Sequence, residues 1–158
     1  MSAPGFAIDS RLLLERAAWR SAGRRLVLTN GCFDLLHTGH LELLEQARSL
    51  GDALVVAINS DASVRGVKGA GRPLLPEAER AELLLSLEPV DRVVIFEEET
   101  PLAAVRALLP DVLVKGADWG PEDIVGSDVV LAHGGRVVRV PLLAGQSTSA
   151  ILERVRRS

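Results

Sequence analysis

Five runs of apolar residues, at 26–29, 53–58, 92–96, 112–114 and 136–140, alternate along this chain with stretches of helical spacing. The runs are apolar at nearly every position rather than at every second one, so each strand must be covered on both faces. Strands of that kind separated by helices form a parallel sheet with helices on its two sides. The expected class is therefore α/β, one domain around a five-stranded parallel sheet. Helices are expected over residues 9–22, capped by Asp9 or Ser10 and stopped by Gly23, and over 39–50, 77–87, 124–132 and 147–155. Another opens at Thr100, read as its N-cap, with Pro101 at the first helical position. Residues 66–76 form the longest stretch without periodicity and read as a loop of the kind that carries function. Ligands of such a sheet bind at the carboxyl ends of its strands.

The 158 residues suit a single domain, with residues 1–24 as an N-terminal helical segment and residues 25–158 as its core. An apolar content of 47% with 25% charged residues excludes disorder and low-complexity classes. Cys32 is the one cysteine, which rules out a disulfide framework or a cysteine-rich zinc site and makes a reducing cytoplasm the expected location. No apolar run approaches the ~18 residues that span a bilayer, and residues 1–5 do not read as the start of a secretory signal. A net charge of −3 gives no broad basic field for nucleic acid, and aromatic residues at 3% offer few platforms for bases. Two details are more pointed. Only Lys68 and Lys115 are lysines among 18 basic residues, and His37 and His40 are two of the three histidines.

The first strand runs into Asn30-Gly31-Cys32-Phe33-Asp34-Leu35-Leu36-His37-Thr38-Gly39-His40. Gly31 permits a close backbone approach or a positive φ at the strand's carboxyl end. At a helix entrance His37 and His40 face the same side, where free N–H groups and the positive end of the helix dipole also point. An anion there meets backbone donors and two imidazoles together. Zinc would need a third ligand that the sequence does not supply, and no Gly-Lys-Ser/Thr follows to make a P-loop. The pattern reads as a phosphate site whose donors stabilise transferring charge.

The stretch Gly31 to His40 resembles the signature of the cytidylyltransferase-like nucleotidyltransferases, whose HxGH motif binds a triphosphate. Gly145-Gln146-Ser147-Thr148-Ser149-Ala150-Ile151 matches a second motif of that family, a Ser/Thr turn opening the last helix. On their own, Ser147, Thr148 and Ser149 are ordinary cap candidates. The resemblance implies a Rossmann-like domain. Across residues 25–155 the chain is most similar to the D-glycero-β-D-manno-heptose 1-phosphate adenylyltransferases. The similarity is carried by Leu28-Thr29-Asn30-Gly31, Asn59-Ser60-Asp61, Val67-Lys68-Gly69, Arg72-Pro73, Pro76-Glu77-Ala78-Glu79-Arg80, Glu97-Glu98-Glu99-Thr100-Pro101 and Lys115-Gly116-Ala117-Asp118-Trp119. Glycerol-3-phosphate cytidylyltransferase is the nearest competitor. Its Arg-Tyr-Val-Asp-Glu and Arg-Thr-Glu-Gly stretches are replaced here by Glu88-Pro89-Val90-Asp91-Arg92 and Leu142-Leu143-Ala144-Gly145. Losing those donors points to ATP rather than CTP.

The resemblance implies transfer of AMP from ATP to heptose 1-phosphate, giving ADP-heptose and pyrophosphate for lipopolysaccharide assembly. It places His37, His40, Lys68 and Arg72 on the reacting phosphates. Thr29, Asn30, Gly31, Cys32, Phe33, Asp34, Gly39, Arg80, Lys115, Gly116, Asp118, Ser147, Thr148 and Ser149 are placed on the nucleotide. Mg²⁺ is expected to bridge ATP phosphates with few protein ligands, and a homodimer is implied. Cys32 reads as a packing residue rather than a nucleophile, and His133 as a surface or capping residue. The rival readings are another sugar- or polyol-phosphate acceptor, and a nucleotide sensor without catalysis.

Overall fold

The computed structural model describes residues 5–117, 120, 123–141 and 147–158. Five strands, β1 (Leu26–Gly31), β2 (Ala53–Asn59), β3 (Arg92–Phe96), β4 (Val112–Gly116) and β5 (Arg136–Val140), form one sheet in the order β3-β2-β1-β4-β5. All four pairings are parallel. The helices are α1 (Ser10–Ser21), α2 (Thr38–Ser49), α3 (Asp61–Lys68), α4 (Glu77–Leu85), α5 (Leu102–Leu108), α6 (Ser127–Ala132) and α7 (Thr148–Arg157). The expected parallel five-stranded sheet is the observed one.

Two apolar cores lie on opposite faces of the sheet. Leu26, Leu28, Val55, Ala57 and Leu113 point into one, with Leu12 and Trp19 of α1, Val105 of α5 and Val130 of α6. Val27, Leu54, Val56, Ile58 and Val114 point into the other, with Leu44 of α2 and Ala81 and Leu84 of α4. Successive strand residues thus feed opposite cores, which is why the runs carry no alternation. The N-terminal helix is integral to the first core. Arg16 of α1 donates to the carbonyls of Leu108 and Leu109 at 2.8 and 2.7 Å and so closes the carboxyl end of α5.

Register is pinned at the amino edge by a recurring device. Asp52, Asp91 and Asp111 each stand immediately before a strand, and each carboxylate accepts the backbone N–H of a residue at the start of the neighbouring strand. The acceptors serve Arg25, Leu54 and Leu26, all at 2.8 Å. A one-residue slip of β1 would break its bonds to Asp52 and Asp111 and exchange its two apolar faces.

The structure corrects several boundaries. Asp9 is the N-cap of α1, bonding the N–H of Leu12 at 2.9 Å. The stretch 66–76 is not a loop throughout, because α3 covers Asp61–Lys68, capped by Ser60 on the N–H of Ser63. Only Ser63 and Val64 of that helix are buried, too few to leave an apolar period in the sequence. Thr100 is not the cap of α5. The helix begins after Pro101, in the N-cap position, without a side-chain cap bond. Helix α6 starts at Ser127 rather than near residue 124, and Ile124 is a buried core residue instead.

Candidate functional site

The sheet order reverses between β1 and β4, and a parallel sheet opens a crevice at the carboxyl ends of the strands at such a point. Lys115 of β4 spans it, its ammonium donating to the carbonyl of Asn30 on β1 at 2.9 Å. The turn that follows β1 has a steric logic. A Cβ on Gly31 would stand 3.0 Å from the Phe33 ring, so the glycine makes room for that ring. The positive φ falls on Phe33 itself, at 49°. Phe33 is buried, and its ring lies 5.0 Å from the imidazole of His40.

His37 is the N-cap residue of α2 and His40 lies one turn in. Their rings stack with centroids 3.8 Å apart and planes at 23°. His40 Nδ1 accepts the backbone N–H of His37 at 3.3 Å, so a neutral His40 carries its proton on Nε2 and presents a donor there. Burial, together with the neighbouring His37 and Lys68, pushes the His40 pKa down to about 4. Burial lowers that of His37 as well. Both imidazoles are therefore neutral hydrogen-bonding groups near pH 7, not cations. His37 Nδ1 is buried without a partner among the described residues.

The depressed values carry a stability consequence. The unfolded chain takes up these protons near the ordinary histidine value of about 6.5, whereas folded His40 resists protonation down to about pH 4. The unfolded state therefore binds more protons through that window, and stability falls as pH drops from about 6.5 toward 4. Thermal melting across this range should show the fall, and His40→Asn should flatten it. An equal slope in the variant would contradict the assignment.

Asp34 is buried and staples the turn to the chain beyond α3. It accepts the N–H groups of Leu74 and Leu75 at 2.8 and 3.0 Å and pairs with Arg72 at 3.3 Å. It thus orients Arg72. Arg72 lines a depression that runs along α7 from Ser147 and Ser149 at its start past Glu153 to Arg156 in its last turn. Ser147 caps that helix through the N–H of Ala150, and the Thr148 hydroxyl donates to the carbonyl of Leu35 at 3.3 Å. The two separated motifs are thereby joined in space.

A cavity of about 430 Å³ opens on the other side of the β1 turn. Asn30, Gly31, Cys32, Lys68 and Lys115 line it, so both lysines reach the same crevice. Burial raises the Cys32 thiol above its ordinary value despite the opposing charges of Lys68, Arg80 and Lys115. A thiol held protonated suits packing, not nucleophilic attack. Gly116 ends β4 beside this crevice, and Gly39 lies in the first turn of α2, where backbone N–H groups lack helical acceptors.

Two of the residues expected on the nucleotide have their side chains engaged within the fold. Thr29 is fully buried, and its hydroxyl donates to the carbonyl of Val114 at 2.9 Å, tying β1 to β4. Arg80 is 1% exposed, and its guanidinium donates to the carbonyls of Leu75, Cys32 and Asn59 and to Asp61 at 2.7 to 3.0 Å. It braces the crevice wall rather than reaching a phosphate. His133 is a surface residue whose ring bonds the Val129 carbonyl. Asp118 and Trp119, with Gly145 and Gln146, lie outside the described residues. The sequence did not mark Asn59, Val67, Phe96, Glu99, Thr100, Pro101, Asp123, Ile124 and Val125 as cavity residues. They come from strand ends, loops and α3, far apart in the chain, and a polar Asn59 ending an apolar strand was the one local sign.

The family described as cytidylyltransferase-like matches residues 28–151. The chain is 57% identical over 140 residues to the bifunctional protein HldE of Azorhizobium caulinodans, covering 89% of this chain and 29% of that protein. It is 54% identical over 154 residues to the bifunctional protein HldE of Alkalilimnicola ehrlichii, covering 98% of this chain and 32% of that one. The chain thus spans about a third of these relatives or less. A crystal structure of the lipopolysaccharide core biosynthesis protein from Thermoplasma volcanium superposes with a TM-score of 0.64 at 28% identity, covering 77% of this chain and 98% of that one. No helix among the described residues is long and apolar enough to cross a membrane.

Proposed function

The chain belongs to the cytidylyltransferase-like family, and on that premise we propose that it transfers AMP from ATP to D-glycero-β-D-manno-heptose 1-phosphate. The observation that carries the reading is the stacked His37–His40 pair at the start of α2, joined through Leu35 and Thr148 to the start of α7. The relatives at 57% and 54% identity and the lipopolysaccharide core biosynthesis neighbour support the substrate class.

The acceptor's phosphate oxygen is already an anion, so no general base is required. It attacks the α-phosphorus in line, the P–O bond to the β-phosphate breaks, and pyrophosphate leaves. Bringing two anions together while charge grows on the bridging oxygen is a matter of position and electrostatics. His40, its Nδ1 engaged by the His37 N–H, donates from Nε2 to a phosphate oxygen. The first-turn amides of α2 add donors without adding charge. Lys68 and Lys115 neutralise phosphate from the cavity side, and Arg72, held by Asp34, does so from the α7 side. Ser147 and Ser149 face the nucleotide from the start of α7.

A divalent cation fits this site as cargo of the nucleotide. Magnesium is commonly bound through substrate phosphates and water. Bound there, it would neutralise charge on the phosphate oxygens.

Steady-state pyrophosphate release with heptose 1-phosphate, measured over ATP, CTP, GTP and UTP, tests the nucleotide. ATP should give the highest kcat/KM. A strong CTP preference, with glycerol 3-phosphate accepted in place of the sugar phosphate, would sink the adenylyltransferase reading.

A further inference from the structure

The histidine pair and the start of α7 account for only one side of the crevice. Phe33, beneath the histidines, belongs to one apolar core, while Phe96 and Ile124, in the cavity, belong to the other. The cavity of about 430 Å³ is therefore a compartment of its own, sharing only the turn Asn30–Cys32 and the two lysines with the phosphate site. Its size lies within the ~300–1,000 Å³ typical of small-molecule sites and exceeds what a phosphate group alone would fill.

The lining has two characters. Phe96, Pro101 and Ile124 are buried and form an apolar floor. Glu99, Thr100 and Asp123 are exposed and form the polar part of the rim, beside the exposed apolar Val67 and Val125. Thr100 is available for this because it makes no cap bond to α5. A carbohydrate ring has that same division, with C–H faces that pack on apolar side chains and hydroxyl edges that donate to carboxylates. Carboxylates are strong acceptors for such donors. They also repel a second anion. The lining thus suits a ligand that is anionic at the lysine end and neutral and hydroxylated elsewhere.

We infer that Glu99, Thr100 and Asp123 are specificity-determining residues that read the hydroxyl groups of a sugar-phosphate acceptor seated on Phe96, Pro101 and Ile124. The inference rests on the adenylyltransferase reading above and names the residues that select its acceptor. Acceptors with a second phosphate or a carboxylate away from the reacting end are rejected by the same rim.

The test is steady-state kinetics of the full chain with ATP and D-glycero-β-D-manno-heptose 1-phosphate, mannose 1-phosphate or glycerol 3-phosphate, for wild type, Glu99→Gln and Asp123→Asn. Each variant should raise the KM for heptose 1-phosphate roughly tenfold or more, because a hydrogen bond to a charged acceptor is weakened. The KM for ATP and the melting temperature should stay at wild-type values. The double variant should also narrow the preference for heptose 1-phosphate over glycerol 3-phosphate. Wild-type turnover with an unchanged acceptor KM in both variants overturns the inference and leaves the adenylyltransferase reading intact. A rise confined to the KM for ATP overturns it too, by placing these residues on the nucleotide. Failure of the wild type to use any sugar 1-phosphate overturns the adenylyltransferase reading, and the inference with it.

Discussion

Replacing His40 by alanine is expected to lower kcat by about two to three orders of magnitude, the typical loss when one donor to a developing oxyanion is removed. Alanine also removes the acceptor for the His37 N–H, at 3.3 Å in the native turn. His40→Asn separates the two effects. An asparagine oxygen can stand where Nδ1 accepts that N–H, but asparagine has no group at the position of Nε2. The asparagine variant should therefore keep the turn and still lose most of kcat. Its binding of ATP, read by calorimetry, should weaken far less than kcat falls, because the donor matters most as charge develops. Wild-type kcat in His40→Asn would remove His40 from the reaction.

The second large effect concerns stability. Arg80→Met should destabilise the fold by about 3–5 kcal/mol, as when one partner of a buried charged network is removed. Methionine matches the stem of arginine but supplies no donors. It would leave the carbonyls of Cys32 and Asn59, buried against Arg80 at 2.7 and 2.9 Å, without their partner. It would also cut the Asp61 link at 2.8 Å that holds the start of α3. Against a total of roughly 5–15 kcal/mol for an ordinary domain, such a loss is severe. Urea unfolding followed by circular dichroism would read it as a lower midpoint. A change below about 1 kcal/mol would mean that water replaces these bonds and that the brace is dispensable.

Arg80 also shows where a sequence stops being legible. Placed by helical spacing on α4, an arginine reads as a solvated or ligand-facing cation. Its burial depends on Cys32, Asn59 and Asp61, which come from three other segments. Thr29 is similar, since its hydroxyl is claimed by Val114 across the sheet. The strands were legible because burial on both faces demands unbroken apolar runs, and the observed β3 and β5 coincide with the expected 92–96 and 136–140. Helix α3 was not, because it buries too little to imprint a period. The histidine pair was legible because strand, glycine turn and helix start are contiguous. The acidic rim of the cavity was not, because Glu99 and Asp123 are brought together only by the order of the strands. The two scarce lysines lie between these cases. Their rarity drew notice, and Lys68 and Lys115 both line the crevice.

The bond made, between the α-phosphate of ATP and the phosphate of the sugar, defines the proposed activity. Phosphorus NMR of the full chain with ATP and D-glycero-β-D-manno-heptose 1-phosphate tests it most directly. Two coupled diphosphate resonances should grow in step with inorganic pyrophosphate as the sugar phosphate signal disappears. Release of inorganic phosphate with an unchanged sugar phosphate, or a diphosphate product formed from CTP but not from ATP, would contradict it.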